Sequence, residues 1–523
     1  MVVNMKNPKT LIVRVVRAVL FLLVLAALLL RLDSAFKLIQ EDNLCPRYYR
    51  YPDDTFDVTF LGASLVLYGI YPMELYRDYG IASYNLSTGN QSLEASYYLA
   101  KEAIEKDHPS LIVLDCSLAA KDEEDMEPQY IHYITDTMPY LSENRIRMIL
   151  ELSKPGENRK ALLFPLMAYH SRWEELTFED ALPQAKEPLY GAKVTSRTRT
   201  AVPFEKAEIT PGAMTETSRT YIEKTIDLCR ENDTEILLMI MPVPGENQFY
   251  KQSGFNLRAS AAEEVGQLAK EKGVAFVNYL EQSEQLGLDL EQDVMDGEHV
   301  NRWGAEKITK ILGAYLKEHY EIPNRRGEGG AYEDLDTDQA KYPVNRMRDS
   351  LNRSLSLRSY AATLKSDAGE EPVEDALVLA TLNGEVDPEY LTEEDAAMLR
   401  TFGLQQDLHS WEGKSWLAVI DGGKVVHETS REDFPDEEDG SPGFCDSFEG
   451  ETGKIRYKVT SGSPDEENGG VTSDASIMVN GMEYATGDRG LHFAVFQKST
   501  GRLMDECWID IHGHSLGCTH DNH

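Results

Sequence analysis

Between Asp57 and Lys317 the sequence alternates short apolar runs with longer amphipathic ones, and few folds accommodate that rhythm. The apolar runs are Asp57–Leu61, Ala82–Leu86, Ser110–Asp115, Glu235–Met241 and Val274–Asn278, each rich in Val, Ile, Leu or Phe. Runs of that length and composition read as strands buried on both faces, the pattern of a parallel sheet. Ser92–Lys106, Ser218–Asn232, Arg258–Lys272 and Trp303–His319 carry helical periodicity between or after them. Such alternation implies a doubly wound α/β layer with its site at the carboxyl ends of the strands. Residues from about Leu118 to Pro211 break the rhythm. This insertion holds an acidic stretch, Asp122–Glu127, and an aromatic patch, Phe164–Trp173, and is expected to cover one side of the site.

The N-terminus bounds where such a layer works. Lys6, Lys9, Arg14 and Arg17 precede an uninterrupted apolar run from Ala18 to Leu30. Alone the run is short for a membrane span. Counted back through Leu11–Val16, with Arg14 and Arg17 reaching out to the interface, it attains the roughly 20 residues a span needs. Asp33 stands where a cleavage site needs a small residue, so residues 1–36 read as an uncleaved anchor, with a cleaved signal peptide as the alternative. Positive charge ahead of the span predicts an inside N-terminus, with the remainder outside the cell membrane.

Beyond the alternating region, residues 323–375 read as a connector: Asn324-Arg-Arg-Gly-Glu-Gly-Gly330, then a charged and partly helical stretch. From residue 376 the pattern changes. Turn signals at Asp421-Gly-Gly423, Asn480-Gly481 and Gly487-Asp488 separate alternating strands such as Ser415–Ile420, Lys454–Thr460, Ala475–Val479 and His492–Phe496. That spacing predicts an all-β or α+β module over 376–523, interrupted by an acidic loop, Glu432–Asp439, and a Ser/Gly/Glu loop, Ser461–Thr472. With 41% hydrophobic residues the chain has material for more than one core.

Charge and cysteines exclude several function classes. Lys and Arg number 52 against 89 Asp and Glu, and the resulting net charge of −37 repels nucleic acid and anionic polymers at long range, which argues against a DNA- or RNA-binding role. Cys45, Cys116, Cys229, Cys445, Cys507 and Cys518 are widely spaced and form no CxxC pair, which excludes a zinc ribbon or a dense disulfide scaffold. Cys116 and Cys229 read as buried thiols. Cys445, Cys507 and Cys518 share the C-terminal region, where one bridge is open. His512, His514, Cys518, His520 and His523 offer metal ligands, but their spacings match no structural site. An exposed polar tail is expected there, with no metal.

Two short stretches carry the chemistry. Asp57-Val-Thr-Phe-Leu-Gly-Ala-Ser-Leu65 runs from a strand into a small-residue turn, which places Ser64 exposed at the strand's carboxyl end. A nucleophilic serine needs that placement, with its hydroxyl toward substrate and backbone N–H groups toward the developing oxyanion. Asp296-Gly-Glu-His-Val-Asn-Arg-Trp-Gly-Ala305 lies just before the last amphipathic helix. His299 can take a proton from Ser64 and return it to the leaving group, and Asp296 can hold the imidazole in the needed tautomer. Each stretch alone also reads as an ordinary turn. Their joint placement, after the first strand and before the last helix, favours catalysis.

Gly62-Ala63-Ser64-Leu65 resembles the first block of the SGNH/GDSL hydrolase superfamily, with Ala63 where the four-letter name has Asp, and Asp296-x-x-His299 resembles its last block. With Tyr68-Gly-Ile-Tyr-Pro72 and Tyr84-Asn-Leu-Ser-Thr-Gly89, the region is similar to the membrane-anchored branch related to the lipoteichoic-acid D-alanylation protein DltD and the alginate O-acetylation proteins. The resemblance covers about Asp57–Lys317, within a catalytic domain placed at 37–322. It implies a flavodoxin-like three-layer α/β/α fold, no metal or cofactor, and a covalent acyl-enzyme on Ser64. It also implies an oxyanion hole from Ser64 and Gly89. The third-block Asn has no counterpart, since that strand ends Leu114-Asp-Cys-Ser117, and Asn90 is taken as its substitute. Tyr169-His-Ser-Arg-Trp173 looks like a recurrent motif of these proteins and makes His170 and Arg172 candidate substrate contacts, with packing of the insertion onto the core as the equal alternative. Ala475-Ser-Ile-Met-Val-Asn-Gly-Met-Glu-Tyr484, Arg489-Gly-Leu-His-Phe-Ala-Val-Phe496 and Thr500-Gly-Arg-Leu503 resemble the interleukin-like EMT inducer (ILEI) domain, which implies a compact binding module.

These readings converge on acyl-ester chemistry, by transfer or de-acylation, on a cell-envelope polysaccharide or teichoic-acid-like polymer. The implied partners are a cell-surface glycan or acylated polymer, a membrane acyl-donor protein, and the membrane itself through the N-terminal helix. The competing reading is a noncatalytic surface glycan-binding or scaffold protein that retains the fold. The missing third-block Asn and the appended module favour it; intact Ser64, Asp296 and His299 oppose it.

Overall fold

The computed structural model describes residues 8–36, 45–174, 188–365, 374–430, 446–462 and 475–520, apart from 127, 137, 155, 157, 249, 385, 387–388, 402, 412–414, 486–487 and 512–515. Cys445, His512, His514, His523, the Glu432–Asp439 loop and most of Ser461–Thr472 lie outside the described residues.

Five strands, β1 (Val58–Leu61), β2 (Ser83–Asn85), β3 (Leu111–Asp115), β4 (Glu235–Ile240) and β5 (Ala275–Asn278), form one parallel sheet in the order β2-β1-β3-β4-β5. That is the flavodoxin-like order, and its direction reverses between β1 and β3, so a crevice opens beyond the carboxyl ends of those strands. β1 and β3 are buried along their whole length, as their unbroken apolar runs require. The helices Leu93–Asp107, Glu216–Glu231 and Gln252–Lys272 connect successive strands, Arg302–His319 follows β5, and the buried faces of all four share one core with the sheet.

Within the insertion, short helices span Pro128–Thr135, Glu143–Leu152, Arg159–Leu163 and Pro165–Tyr169. An irregular strap from residue 188 onward then crosses back over the α/β layer. It is tied down by Asn85 N–H donating to the Tyr190 carbonyl at 3.0 Å and by Lys193 N–H donating to the Leu67 carbonyl at 2.9 Å.

The C-terminal region is antiparallel. A six-stranded sheet runs β15 (Cys518–His520), β14 (Arg502–Ile509), β13 (Gly490–Gln497), β6 (Ala376–Asn383), β7 (Leu417–Asp421), β8 (Lys424–Glu428). A four-stranded sheet runs β12 (Met482–Glu483), β11 (Ser476–Val479), β10 (Ile455–Thr460), β9 (Ser447–Thr452). The two-residue period of β6 divides its side chains between two cores. Leu377 and Leu379 pack with Ile455, Val459 and Ile477 of the smaller sheet, while Val378, Ala380 and Leu382 pack with Met347, Leu351, Leu357 and Tyr360.

Those last four residues belong to the stretch expected as a connector. It forms two helices, Glu333–Asn352 and Leu357–Lys365, and the first joins both regions. Its Leu335 and Tyr342 enter the core of the α/β layer, whereas Met347 and Leu351 enter that of the β module. Buried Arg346 pairs with Glu74 at 2.8 Å and with Glu306 at 2.7 Å, on two helices of the α/β layer. Tyr190 and Tyr76 hydroxyls donate to Asp338 and Asp336 at 2.8 and 2.7 Å. The last strand, β15, secures the turn between the two helices. Cys518 N–H donates to the Leu355 carbonyl at 3.3 Å, Leu357 N–H to the Leu516 carbonyl at 3.1 Å, and His520 Nε2 to the Ser354 carbonyl at 2.7 Å.

At the N-terminus, one helix spans Pro8–Phe36, and its Ile12–Leu32 portion is long and apolar enough to cross a membrane.

Candidate active site

Gly62 sets the turn that presents Ser64. A Cβ at that position would meet Val66 Cγ2 at 2.6 Å and Asp115 Cβ at 2.8 Å, so the backbone can pass there only without a side chain. Ala63 is the extended N-cap of the Ser64–Gly69 helix, with no side-chain cap of its own. Ser64 and Leu65 occupy the first turn, where N–H groups have no intrahelical partner. Ser64 therefore stands at the switch point of the sheet with its own N–H available beside its hydroxyl.

His299 arrives from the other end of the α/β layer on a tight loop. Val294 and Val300 bridge its ends, Met295 N–H donates to the His299 carbonyl at 2.9 Å, and Gly297 turns it with a φ of 92°. Asn247 donates to the Asp296 carbonyl, which anchors the loop to the segment after β4. Asn301 caps the helix that follows, accepting from Trp303 and Gly304 N–H, so Asp296 is not needed as a cap. Its carboxylate instead accepts His299 and Glu298 N–H at 2.9 and 3.1 Å and faces His299 Nδ1 at 3.0 and 3.1 Å. On the opposite side of the ring, Nε2 lies 2.7 Å from Ser64 Oγ. Burial pushes the Asp296 pKa up, but the hydrogen bonds from the His299 ring and the loop N–H groups outweigh it and hold the carboxyl below its ordinary range. An ionised Asp296 keeps the proton on Nδ1, which leaves Nε2 to accept from Ser64.

A cavity of about 660 Å³ opens over this pair. Thr88, Gly89 and Asn90 line it together with Tyr68, Met295, Asp296 and His299. Asn90 holds a left-handed φ of 48°, a conformation that asparagine tolerates better than most residues. Ser64, Gly89, Asn90, Asp296 and His299 are thus brought together. No residue of Asp115-Cys-Ser117 lines the cavity. Asp115 is buried behind Gly62, accepts from Ser117 and from Met241 N–H, and its pKa is pushed up to about 6 by burial.

His170 and Arg172, expected as substrate contacts, do not line this cavity. The Pro165–Tyr169 helix and the following turn that carries them meet the N-terminal helix instead, and His170 is exposed. Lining residues not anticipated include Tyr68, Tyr130, Tyr133, Lys193, Thr195, Arg197, Asn352, Arg353 and Leu355. Tyr68 was readable, since it stands one helical turn after Ser64. So was the two-residue period of Lys193, Thr195 and Arg197, which puts them on one face of an extended strap. Tyr130 and Tyr133 share a helix face in the insertion, but nothing local connects Arg353 to a serine in the first strand's turn.

Cys116 and Cys229 are buried thiols as expected, and burial pushes the Cys229 pKa up to about 12. In the C-terminal module, Cys507, Cys518 and His520 bring ligand-type atoms within 4.8 Å of one another. Both ring nitrogens of His520 already have partners, Asp505 at Nδ1 and the Ser354 carbonyl at Nε2, so a metal would have to displace one. The segment Cys518–His520 is a paired strand, and not the exposed polar tail expected for it.

Fold and site define a class: an α/β protein with a hydrogen-bonded Ser–His–Asp array at the carboxyl end of its first strand. Neither a protein-family model nor a curated protein matches the sequence. Similar solved structures include a GDSL-like lipase from Bacteroides thetaiotaomicron, 10% identical, covering 50% of this chain and 87% of that one with a TM-score of 0.26. Another is an acetyl xylan esterase, 9% identical, covering 50% of this chain and 98% of that one, also with a TM-score of 0.26. The functional reading stands on the residues of the site.

Proposed function

We propose that this chain is an SGNH-type serine esterase or O-acyltransferase, acting outside the cell membrane on ester-linked acyl groups of an envelope polysaccharide or teichoic-acid-like polymer. The observation that carries the chemistry is the alignment of Ser64 Oγ, His299 Nε2 and the Asp296 carboxylate across one imidazole. As Ser64 Oγ attacks an acyl carbonyl, its proton passes to His299 Nε2, and Asp296 stabilises the imidazolium. The oxyanion forms against the N–H groups of Ser64 and Gly89, and Asn90 lines the same cavity. Collapse expels the alcohol, which takes the proton from His299 and leaves the acyl group on Ser64. Water or a glycan hydroxyl then attacks that ester, with His299 as base, and Ser64 is released.

A cavity open to solvent suits a polymer segment, and the apolar N-terminal helix suits work at a membrane surface. The full-length chain in detergent, treated with a fluorophosphonate, should be labelled in the wild type and not in Ser64→Ala. Equal labelling of both would sink the assignment. Turnover of p-nitrophenyl acetate, against acyl transfer to an added glycan, separates hydrolysis from transfer.

A further inference from the structure

The aromatic stretch Phe164–Trp173 lines no part of the catalytic cavity, and it is built with two faces. Phe164, Met167, His170 and Trp173 recur every third residue along the Pro165–Tyr169 helix and the 3₁₀ turn His170–Glu174 that continues it, so they share one side. All four are exposed, Phe164 and Met167 at 49% and Trp173 at 66%. The opposite side is committed to the insertion. Pro165 is buried, the Tyr169 hydroxyl donates to Asp136 at 2.9 Å, and the Tyr169 ring meets His132 edge-on at 5.8 Å. Tyr140 extends the row, with its ring 6.3 Å from that of Phe164.

An exposed row of Phe, Met and Trp marks contact with a protein or a membrane. Three observations select the membrane. The helix and turn that carry the row meet the N-terminal helix, whose Ile12–Leu32 portion is long and apolar enough to cross a bilayer. Eight residues, 37–44, separate that helix from Cys45, a tether on the order of 30 Å when fully extended, which bounds how far the α/β layer stands from the anchor. Ser142–Glu174 holds six Lys and Arg against four Asp and Glu in a chain of net charge −37, so this stretch lacks the acidity that would repel anionic head groups. Trp173 at the end of the row has the apolar body and polar N–H that suit the head-group level.

We propose that this row is a second membrane contact, with Phe164, Met167 and Trp173 entering the head-group region of the bilayer beside the N-terminal helix. The same insertion supplies Tyr130 and Tyr133 to the catalytic cavity from its Pro128–Thr135 helix, and the Tyr169–Asp136 bond ties the end of that helix to the docked segment. Docking therefore sets the height and tilt of the Ser64 cavity above the lipid, which a single tether cannot do. The proposal rests on the membrane reading of the N-terminal helix and is independent of the Ser64 chemistry.

Tryptophan emission reads the contact directly. Of the five tryptophans, Trp303, Trp411 and Trp416 are buried, and Trp508 is partly buried with its indole N–H on the Arg489 carbonyl, so Trp173 is the one open to a quencher in the lipid. The full-length chain is placed in nanodiscs of phosphatidylcholine and phosphatidylglycerol, with and without bromine on the acyl chains. Bromine should lower the Trp173 emission, taken as wild type minus Trp173→Phe, by about 2-fold or more and leave Trp173→Phe nearly unchanged. Met167→Glu, which puts a charge into the row, should cut that quenching to about half. Unchanged melting temperatures report that both variants have folded, and quenching of the wild type needs no substitution at all. Trp173 left open to aqueous iodide in the discs would overturn the proposal. Trp173 shielded from iodide yet untouched by bromine would assign the row to a protein partner or a second copy, and would overturn it too. A chain that does not enter the discs would remove anchor and docking together, whereas a chain in the discs without bromine quenching would remove the docking alone.

Discussion

His299 in the α/β layer and His520 in the β module begin alike. Each has an aspartate across Nδ1, Asp296 at 3.0 and 3.1 Å and Asp505 at 3.0 and 3.2 Å, and each has an oxygen 2.7 Å from Nε2. The difference lies in that oxygen. Ser64 offers a hydroxyl, which can give a proton as well as accept one. The Ser354 carbonyl can only accept, so both nitrogens of His520 must donate and the ring is held as a cation. Burial lowers the His520 pKa, but Asp505 and the carbonyl outweigh it and raise it to about 9. An Asp–His pair thus either faces a hydroxyl that can give it a proton or is held as a fixed cation, according to its third partner.

The comparison breaks first at the hydroxyl. Ser64→Ala should lower ester turnover by about 10⁴-fold or more and abolish fluorophosphonate labelling, both read on the full-length chain. Asp296→Asn should cost about 10³- to 10⁴-fold in kcat with little change in KM, because the imidazole loses its tautomer and the imidazolium its counter-charge. Asn90→Gly keeps the left-handed backbone and removes the side chain. A loss of about 10²-fold in kcat is expected if its amide faces the oxyanion, whereas a loss under about 3-fold would assign the hole to main-chain donors.

On the other side of the comparison, His520→Gln should cost stability and spare labelling. It leaves buried Asp505 without its cation, at about 1–3 kcal/mol, measured as a lower melting temperature. The sign with pH follows from a folded-state pKa raised above the ordinary histidine value. The contribution is fully present below about pH 6.5 and is lost as pH rises through about 9. Melting curves across that window should flatten in Asp505→Asn.

Much of the α/β layer was legible because its signals are local. The expected strands 57–61, 82–86, 110–115, 235–241 and 274–278 each overlap an observed one, with ends that differ by a residue or so. Ser64 and the Asp296–His299 loop were legible for the same reason, since a turn and a three-residue spacing are written in adjacent residues. Arg353 and Asn352 were not. They reach the cavity only because the Glu333–Asn352 helix docks through Arg346 onto Glu74 and Glu306, a contact between segments far apart in the chain. The same holds for β15, whose Cys518 and His520 read as a polar tail until β14 gives them a partner. His170 and Arg172 sat in an aromatic motif, but the path of the insertion, and not the motif, decides which surface it faces.

The clamp that β15 places on the Ser354–Leu357 turn has a consequence in time. A ribosome delivers Ser64 and its strand early, whereas the strand that secures Asn352, Arg353 and Leu355 at the cavity emerges only after residue 520. At about 5–20 residues per second the interval is on the order of a minute. Through that interval the nascent chain carries Ser64 without the finished wall of its cavity, so maturation of the site waits until the strand at residues 518–520 has been made.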